Sequence, residues 1–323
     1  SNFLRADLAW YRDQMVDGNT GPRLKVAIAP NGFYAPDITR DWSLKREQRG
    51  TLITQTRAIY TMAAGYEVTG EAPYREACIR AADFLLTRFR APGSPGLWAR
   101  AVSPDGAIVD ADIHLYGQMQ AMFALAHAWR LSGEKRFLDA ALGTWLALDV
   151  RSLAAARPGD TALNRLNVTL HAFEALLALH RAAPSTLLFD DLKALGDLTL
   201  RRFAHQKEGF FYEGVEDTSQ RPIGGETSVG HNFQIAFLFS RAHDAGLPGR
   251  FLEAAQRALD FAVAHGIHSA GGSVFNSLGY DRATRDTTLY WWSHTEALRC
   301  LAHFTLQRHR PALKPRFDAV LAF

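Results

Sequence analysis

The feature that most restricts the fold of this sequence is the recurrence of paired segments in which apolar residues return every three to four positions. This spacing predicts α-helices, and a two-helix unit returns about every 50 to 65 residues. Strand-like alternation is confined to short pieces beside glycine-rich turns, such as residues 208–215. The sequence therefore predicts an all-α protein.

We call the opening helix of each pair its first helix, and these begin near residues 44, 112, 165, 228 and 288. A long loop containing Gly, Asp or Pro precedes each first helix, whereas the connections within pairs are short and polar. Long loops at one recurring position are expected to gather at one rim and build a site there. The periodicity predicts helices over residues 2–15, 44–68, 73–89, 112–131, 135–148, 165–182, 190–203, 228–244, 248–265, 288–307 and 310–322.

The first helices carry apolar residues on more than one stripe, as in residues 121–125 and 176–179. A helix that is apolar over most of its circumference is surrounded by other helices. The hairpins are therefore expected to close into an (α/α) barrel with the first helices inside, rather than to stack as an open solenoid. The whole chain, residues 1–323, is expected to form one domain.

Charge and cysteine content exclude several classes of function. Lys and Arg total 36 against 33 for Asp and Glu, and the basic residues are scattered, so a nucleic-acid partner is not expected. Cys78 and Cys300 lie too far apart to suggest a disulfide framework or a metal cluster, and a reducing cytoplasm fits them. No segment approaches the ~18 consecutive apolar residues of a membrane span, so no membrane partner is expected.

Polar and aromatic groups interrupt the first helices just after the long loops. His171 and Glu174 are three residues apart, as are His231 and Gln234, so each pair lies on one helix face. A carboxylate beside an imidazole fixes its tautomer and favours its protonated form, which suits a proton carrier. The interrupting residues are Gln55-Thr56-Arg57 with Tyr60, Tyr116-Gly117-Gln118, Asn167 with His171 and Glu174, His231 with Gln234, and Trp291 with His294 and Glu296.

Each of these residues also has a structural interpretation. A histidine at a helix head is often a cap or a satisfied core group, Arg57 could pair internally with Glu174 or Glu296, and Trp291 could pack at the rim. His171 and His231 stand out by their shared helix position and their shared i, i+3 polar partner.

Other chemistries have weaker signals. The sequence has no P-loop, GxGxxG, HExxH, CxxC or GxSxG motif, so no nucleotide, metal or redox cofactor is expected. Asp110 and Asp112, together with Glu174 or Glu296, leave glycoside hydrolysis by two carboxylates as the rival enzyme reaction.

These motifs resemble, in order and over nearly the whole chain, those of the N-acylglucosamine 2-epimerase family, which includes cellobiose 2-epimerases and aldose-ketose isomerases. The resemblance implies an (α/α)6 barrel that opens the ring of a free sugar in its mouth without a cofactor. A sugar is the implied partner, and a homodimer is an open alternative to a monomer. The matching residues are Gln55-Thr56-Arg57 with Tyr60, residues 115–118, Asn167 with Leu170, His171, Glu174 and Ala175, Gly230-His231, and Trp291-Trp292 with Glu296, Ala297 and Leu298.

The resemblance also implies roles. Arg57 would hold substrate oxygens, His171 would assist ring opening or proton transfer, and His231 would be the acid/base histidine. Removal of the proton next to an aldehyde gives an enediol, which the arginine would stabilise. The remaining candidate residues would bind the substrate, namely Tyr60, Tyr116, Asn167, Glu174, Gln234, Trp291 and Glu296.

Two departures from the family pattern shape the expectations. Gln234 stands where relatives usually carry a glutamate, and eleven helices are predicted where six pairs are implied, so the last inner helix and its histidine are expected to be missing. His294 is expected to take over that acid/base role, or else to bond Glu226 or a loop carbonyl. A degenerate carbohydrate-binding barrel and an (α/α) barrel glycosidase or lyase stay open as alternatives.

Overall fold

A computed structural model describes residues 12–14, 16–148, 165–216, 219–269 and 271–323. It divides into two compact units, one of residues 1–150 with 175–188 and one of residues 151–174 with 189–323. The helix predicted over residues 2–15 lies outside the described residues apart from 12–14, which are helical. The prediction of a single domain stays a prediction.

The first unit is built from helical hairpins and a small sheet. Strand β1 (Gly50–Thr51) pairs antiparallel with β2 (Ala101–Val102), which pairs antiparallel with β3 (Ile108–Asp110). A single π-helical turn covers Val16–Thr20. The α-helices of this part are α1 (Gly21–Val26), α2 (Leu52–Thr69), α3 (Ala72–Arg88), α4 (Leu115–Ser132) and α5 (Lys135–Leu148).

The predicted start of a helix near residue 44 is wrong. Leu44 forms an antiparallel bridge with Ile38, and β1 then takes residues 50 and 51 into a sheet. The helix begins only after Thr51, whose side-chain oxygen accepts a hydrogen bond from the backbone N–H of Thr54 at 3.2 Å. Residues 44, 45, 50 and 51 are therefore not helical, because their backbone bonds to other segments.

The second unit repeats the arrangement of hairpins and a sheet. Strands β4 (Glu226–Ser228), β5 (Ser277–Gly279) and β6 (Arg285–Asp286) form an antiparallel sheet in that order. One 3-10 turn covers Pro311–Leu313. Helix α6 (Leu166–Ala182) begins in this unit, and the following helices are α7 (Thr186–Phe203), α8 (Val229–Asp244), α9 (Gly249–His265), α10 (Trp291–Leu306) and α11 (Lys314–Ala322).

The first helices are α2, α4, α6, α8 and α10, and burial confirms the interpretation of α4, α6 and α8 as inner helices. In α4, every residue from Gly117 to Ala128 is buried except Phe123 and His127, which are half-buried. A helix covered on nearly all sides must be surrounded by other elements. Its partner α5 instead buries one stripe and exposes the rest, including Leu146.

Four first helices hold the chain segment that precedes them through the same helical position, the fourth residue. In each case this side chain accepts a hydrogen bond from a backbone N–H that lies 20 or 21 residues earlier. The residue so held is also one member of an isolated antiparallel bridge. The four contacts join Gln55 to Tyr34 at 2.8 Å, Gln118 to Trp98 at 2.9 Å, Asn232 to Phe211 at 3.1 Å and His294 to Val274 at 3.1 Å.

In these four hairpins the contact fixes the long loop against the head of the helix that follows it. The amide groups of Gln55 and Gln118 also donate back to the carbonyls of Tyr34 and Trp98, so each closes a two-bond clasp. Buried backbone groups need such partners. The same turn of these four hairpins is therefore anchored in the same way, and equivalent positions of different first helices can be compared.

Candidate active site

The sixth residue of every first helix is polar, although these helices are largely buried. Together with the second and ninth residues it lies on one helix face, because these positions are spaced i, i+4 and i+7. Most of the predicted site residues fall on these three positions. The sixth residues are Arg57, Gln120, His171, Gln234 and Glu296.

Gln120 is a member of this set that the sequence analysis missed. It is buried in α4 at the position that Arg57 and His171 occupy in their helices. The signal that could have found it was present, since Gln120 follows Gln118 by two residues as Arg57 follows Gln55.

In the first unit, Arg57 and Tyr116 contact each other. Nη2 of Arg57 donates to the Tyr116 hydroxyl at 2.9 Å. The aromatic ring of Tyr60 lies against Phe123 and His127, with centroid distances of 4.9 and 4.8 Å. Arg57 and Tyr60 are exposed and Tyr116 is half-buried, so each of the three keeps some surface that a ligand could contact.

Asp110 and Asp112, two of the carboxylates considered for a glycosidase reaction, lie close to arginine side chains. Asp110 lies 2.9 Å from Arg49 and 3.7 Å from Arg100, and Asp112 lies 3.9 Å from Arg100. These ion pairs connect the end of β3 and the residue after it but one to the residues that precede β1 and β2. Asp110 and Asp112 therefore already have cationic partners within the protein.

In the second unit, the predicted pairing of His171 with Glu174 is confirmed. Nδ1 of His171 lies 3.0 Å from Oε2 of Glu174, and both side chains are only slightly exposed. Arg299 of α10 lies 3.7 Å from the other oxygen of Glu174 and 2.5 Å from Glu296. One guanidinium thus links the carboxylates of α6 and α10.

The partner of His231 differs from the one predicted. Its Nδ1 lies 2.8 Å from Oε2 of Glu213, which stands in the extended segment between α7 and α8. Gln234, which is buried on the same helix, makes no hydrogen bond to His231. Residues 208–215 have a strand-like pattern in the sequence, but no local pattern indicates that this segment crosses the head of α8.

Electrostatics favour the charged form of the pair formed by His231 and Glu213. Burial alone would lower the pKa of His231, but the charge and hydrogen bond of Glu213, with a contribution from Glu296, outweigh it and raise that pKa. Burial would likewise raise the pKa of Glu213, and the neighbouring imidazolium lowers it instead.

Glu296 is shifted in the opposite direction from Glu213. Burial raises its pKa, Arg299 opposes this rise, and the nearby carboxylate of Glu174 adds to it. Glu296 therefore holds a proton more readily than an ordinary glutamate.

The Gly-His sequence at the head of α8 has a steric cause. A Cβ on Gly230 would lie 2.3 Å from the ring of Trp292, so only glycine admits this ring. The Trp292 ring in turn lies 5.3 Å from the ring of His231, centroid to centroid. Its neighbour Trp291 is 72% exposed, and Asn167 at the head of α6 is also exposed.

Both ring nitrogens of His294 are occupied by backbone. Nε2 accepts from the N–H of Val274 at 3.1 Å, and Nδ1 faces the carbonyl of Tyr290 at 2.9 Å. The ring also stacks on Phe323. This geometry supports the alternative of a bond to a carbonyl and gives His294 no nitrogen for an acid/base role.

His231 differs from His294 in this respect. Among the residues that the structure describes, none forms a hydrogen bond with its Nε2, and the side chain keeps 14% of its surface exposed. An imidazole whose Nδ1 is held by a carboxylate can take up or release a proton at Nε2.

Paired helices whose loop-proximal ends carry carboxylate-held histidines define an all-α protein equipped for acid/base chemistry. The chain belongs to the N-acylglucosamine 2-epimerase (GlcNAc 2-epimerase) family, whose profile matches residues 32–313.

Relatives and solved structures agree with this assignment. A cellobiose 2-epimerase of Bacteroides fragilis is 23% identical over 96% of this chain and 82% of its own length. The structure of cellobiose 2-epimerase from Bacillus thermoamylovorans B4167 superposes with a TM-score of 0.85 at 16% identity, over 98% of this chain and 86% of that one. A D-mannose isomerase structure gives a TM-score of 0.78 at 16% identity, over 98% and 85%.

These similarities confirm the predicted fold class, an all-α barrel of helical hairpins. They also confirm the enzyme class: the chain is a carbohydrate epimerase or isomerase.

Proposed function

We propose that this protein interconverts free reducing sugars by moving the proton on the carbon next to the ring-opened carbonyl, through an enediol. His231 is the acid/base group, His171 assists ring opening or proton transfer, and Arg57 holds the substrate oxygens. The observation that carries this proposal is that His231 and His171 each face a carboxylate through Nδ1, at 2.8 and 3.0 Å.

The chemistry follows from this arrangement. A carboxylate on Nδ1 directs Nε2 toward the substrate and stabilises the imidazolium that forms when the proton is taken. Positive charge from a guanidinium stabilises the enediol oxygen. Return of the proton to the opposite face of the same carbon gives an epimer, and its delivery to the former carbonyl carbon gives a ketose.

The remaining predicted residues are proposed as substrate contacts. They are second, sixth or ninth residues of the first helices, except Trp291, which is the first residue of α10. His294 is left out of the proposed proton transfer because backbone occupies both of its nitrogens. The proposed contacts are Tyr60, Tyr116, Asn167, Glu174, Gln234, Trp291 and Glu296.

A cytoplasmic location and a sugar as the binding partner complete the proposal. The thiols of Cys78 and Cys300 are free and buried, which suits a reducing compartment. None of the described helices is both long and apolar enough to cross a membrane. The nearly balanced, scattered charge favours a small-molecule substrate over nucleic acid.

The test is proton exchange with solvent. Glucose, mannose, N-acetylglucosamine and cellobiose are incubated with the protein in heavy water, and NMR follows deuterium at the carbon beside the carbonyl. We expect uptake with at least one aldose. We expect His231→Ala to lower that rate by about 10²–10⁴-fold, while His268→Ala, a control at an exposed histidine, keeps it.

Two other results would reject the proposal. Binding of these sugars without exchange would support a carbohydrate-binding barrel, and release of shorter saccharides would support a glycosidase. Normal exchange in folded His231→Ala would remove this histidine from the mechanism.

A further inference from the structure

Glu213 is the residue through which the extended segment before α8 touches the heads of two first helices. Its backbone carbonyl accepts the N–H of Leu166, the first residue of α6, at 3.1 Å. Its Oε1 accepts the N–H of Ser228 at 3.0 Å, and its Oε2 lies 2.8 Å from Nδ1 of His231. One residue therefore contacts the start of the helix that carries His171 and the start of the helix that carries His231.

We propose that Glu213 is the positioning residue of the reaction, which holds the His231 ring in one orientation and one tautomer. This inference rests on the proposed function for its catalytic meaning. Glu213 acts through His231 and does not itself touch the reacting atoms.

The two carboxylate oxygens explain how the ring is held. Oε1 is fixed by the backbone of Ser228, which also caps α8 by accepting the N–H of His231 on its side chain at 3.4 Å. The second oxygen therefore cannot swing away from Nδ1 without breaking a bond at the helix head. A ring held in this way presents Nε2 in a fixed direction.

The surroundings of His231 leave few other groups for this role. The charged groups that act on its ring are Glu213 from the preceding segment and Glu296 from α10. Glu296 is itself tied to Arg299, which also reaches Glu174. Gln234 on the same helix is neutral, so Glu213 is the carboxylate in direct contact.

Another histidine of this protein shows how a carboxylate on the same helix can replace that of Glu213. Glu174, three residues after His171, reaches Nδ1 at 3.0 Å on a first helix. A glutamate three residues after His231 would occupy position 234. Gln234→Glu should therefore supply the carboxylate that Glu213→Gln removes.

The first experiment reads the ring directly, without substrate. Nitrogen-15 NMR across a pH series gives the tautomer and the pKa of His231 in the wild type, Glu213→Gln, Glu213→Gln/Gln234→Glu and Glu216→Gln. The last variant is the matched control, because Glu216 stands three residues further on, is exposed and bonds Ser219 and Arg221. Thermal unfolding verifies that each variant is folded.

We expect Glu213→Gln to lower the pKa of His231, because burial then acts against the remaining influence of Glu296 alone. We also expect Nδ1–H to lose its dominance in the neutral ring, the double variant to recover both properties, and Glu216→Gln to match the wild type. An unchanged tautomer and pKa in Glu213→Gln would overturn the proposal.

The second experiment follows exchange against pH. We expect kcat of Glu213→Gln to fall by about tenfold or more, less than the loss on removing His231 itself, with KM changed little and the pH profile shifted with the histidine. A fall in kcat with an unshifted profile would overturn the positioning role. If the wild type exchanges no sugar, the proposed function fails, while the NMR result still decides whether Glu213 holds the ring.

Discussion

The imidazole of His294 accepts a hydrogen bond from the backbone N–H of Val274 at 3.1 Å. At the equivalent position of three other hairpins, an amide side chain accepts the corresponding hydrogen bond. Each of these contacts comes from the fourth residue of a first helix and spans 20 or 21 residues of chain. The histidine is thus a member of a structural series, and the residue type that it replaces is Gln or Asn.

His294→Gln should therefore be tolerated, since a glutamine oxygen can accept the N–H of Val274 as Gln118 accepts that of Trp98. We expect its free energy of unfolding to stay within about 1 kcal/mol of the wild type, and its exchange rate to persist. His294→Ala leaves a buried N–H without an acceptor and should cost about 1–3 kcal/mol. Chemical denaturation measures both, and loss of exchange in a fully stable His294→Gln would contradict this assignment.

Gly230 and Gly143 form a matched pair for testing the contact with Trp292. An added Cβ on Gly230 meets the Trp292 ring, whereas on Gly143 of α5 it meets nothing within 4 Å. Gly230→Ala should destabilise the protein by about 1–3 kcal/mol and reduce exchange, because the ring beside His231 must move. Gly143→Ala should stabilise it by about 0.5–1 kcal/mol. Equal unfolding free energies for the two variants would contradict this view.

Because of His303, we expect the free energy of unfolding to decrease as the pH is lowered. Burial first, then Arg241 and Arg308, lower the pKa of His303 to about 4, and its Nε2 lies 2.8 Å from the Ser240 hydroxyl. Below pH 6.5 His303 binds a proton in the unfolded chain, whereas in the folded chain it does so only near pH 4. The free energy of unfolding should thus fall over this window, by about 3 kcal/mol from this group.

His303→Gln removes this titration and keeps a partner for Ser240. Urea unfolding at several values between pH 7.5 and 4 should give a flatter dependence for the variant than for the wild type. His268→Gln, at an exposed site, should keep the wild-type slope. Parallel curves for all three proteins would show that His303 does not titrate as described.

The helices could be predicted because burial and periodicity act locally. The first helices were placed within a few residues at every start except the one near residue 44, where Leu44 pairs with Ile38 and β1 pairs with β2. Those partners depend on long-range contacts that periodicity does not record. The start of α7 near residue 186 was likewise missed, because the Ser185 hydroxyl accepts the N–H of Leu188 ahead of the apolar run.

In the site, too, contacts within one helix could be predicted from the sequence, whereas contacts between distant segments could not. His171 and Glu174 lie on one helix, so their spacing alone predicted the contact. Glu213 is 18 residues from His231 and reaches it from an extended segment, which no local pattern encodes. The role of His294 required the comparison of equivalent contacts in four hairpins, and sequence spacing alone could not supply it.

Arg299 should control the charge balance between α6 and α10. Its guanidinium contacts the carboxylates of Glu174 and Glu296 and lies 4.3 Å from the centre of the Phe237 ring. Arg299→Met keeps the stem of the side chain on Phe237 but removes the guanidinium that links the carboxylates of Glu174 and Glu296. We expect a loss of about 2 kcal/mol at neutral pH, below the value for a fully buried pair because Arg299 is about one-third exposed.

The loss should depend on pH with a definite sign. Burial already raises the pKa of Glu296 above that of an unfolded glutamate, and removal of Arg299 raises it further. The folded variant then retains a proton that the unfolded chain releases above about pH 4.5, so its stability falls as the pH rises from there. The difference from the wild type should therefore widen from pH 4.5 to 7.5 in urea unfolding. Arg299→Lys keeps the positive charge, so its unfolding free energy should differ less from the wild type than that of Arg299→Met. If the difference between Arg299→Met and the wild type stays constant with pH, Arg299 contributes through packing alone.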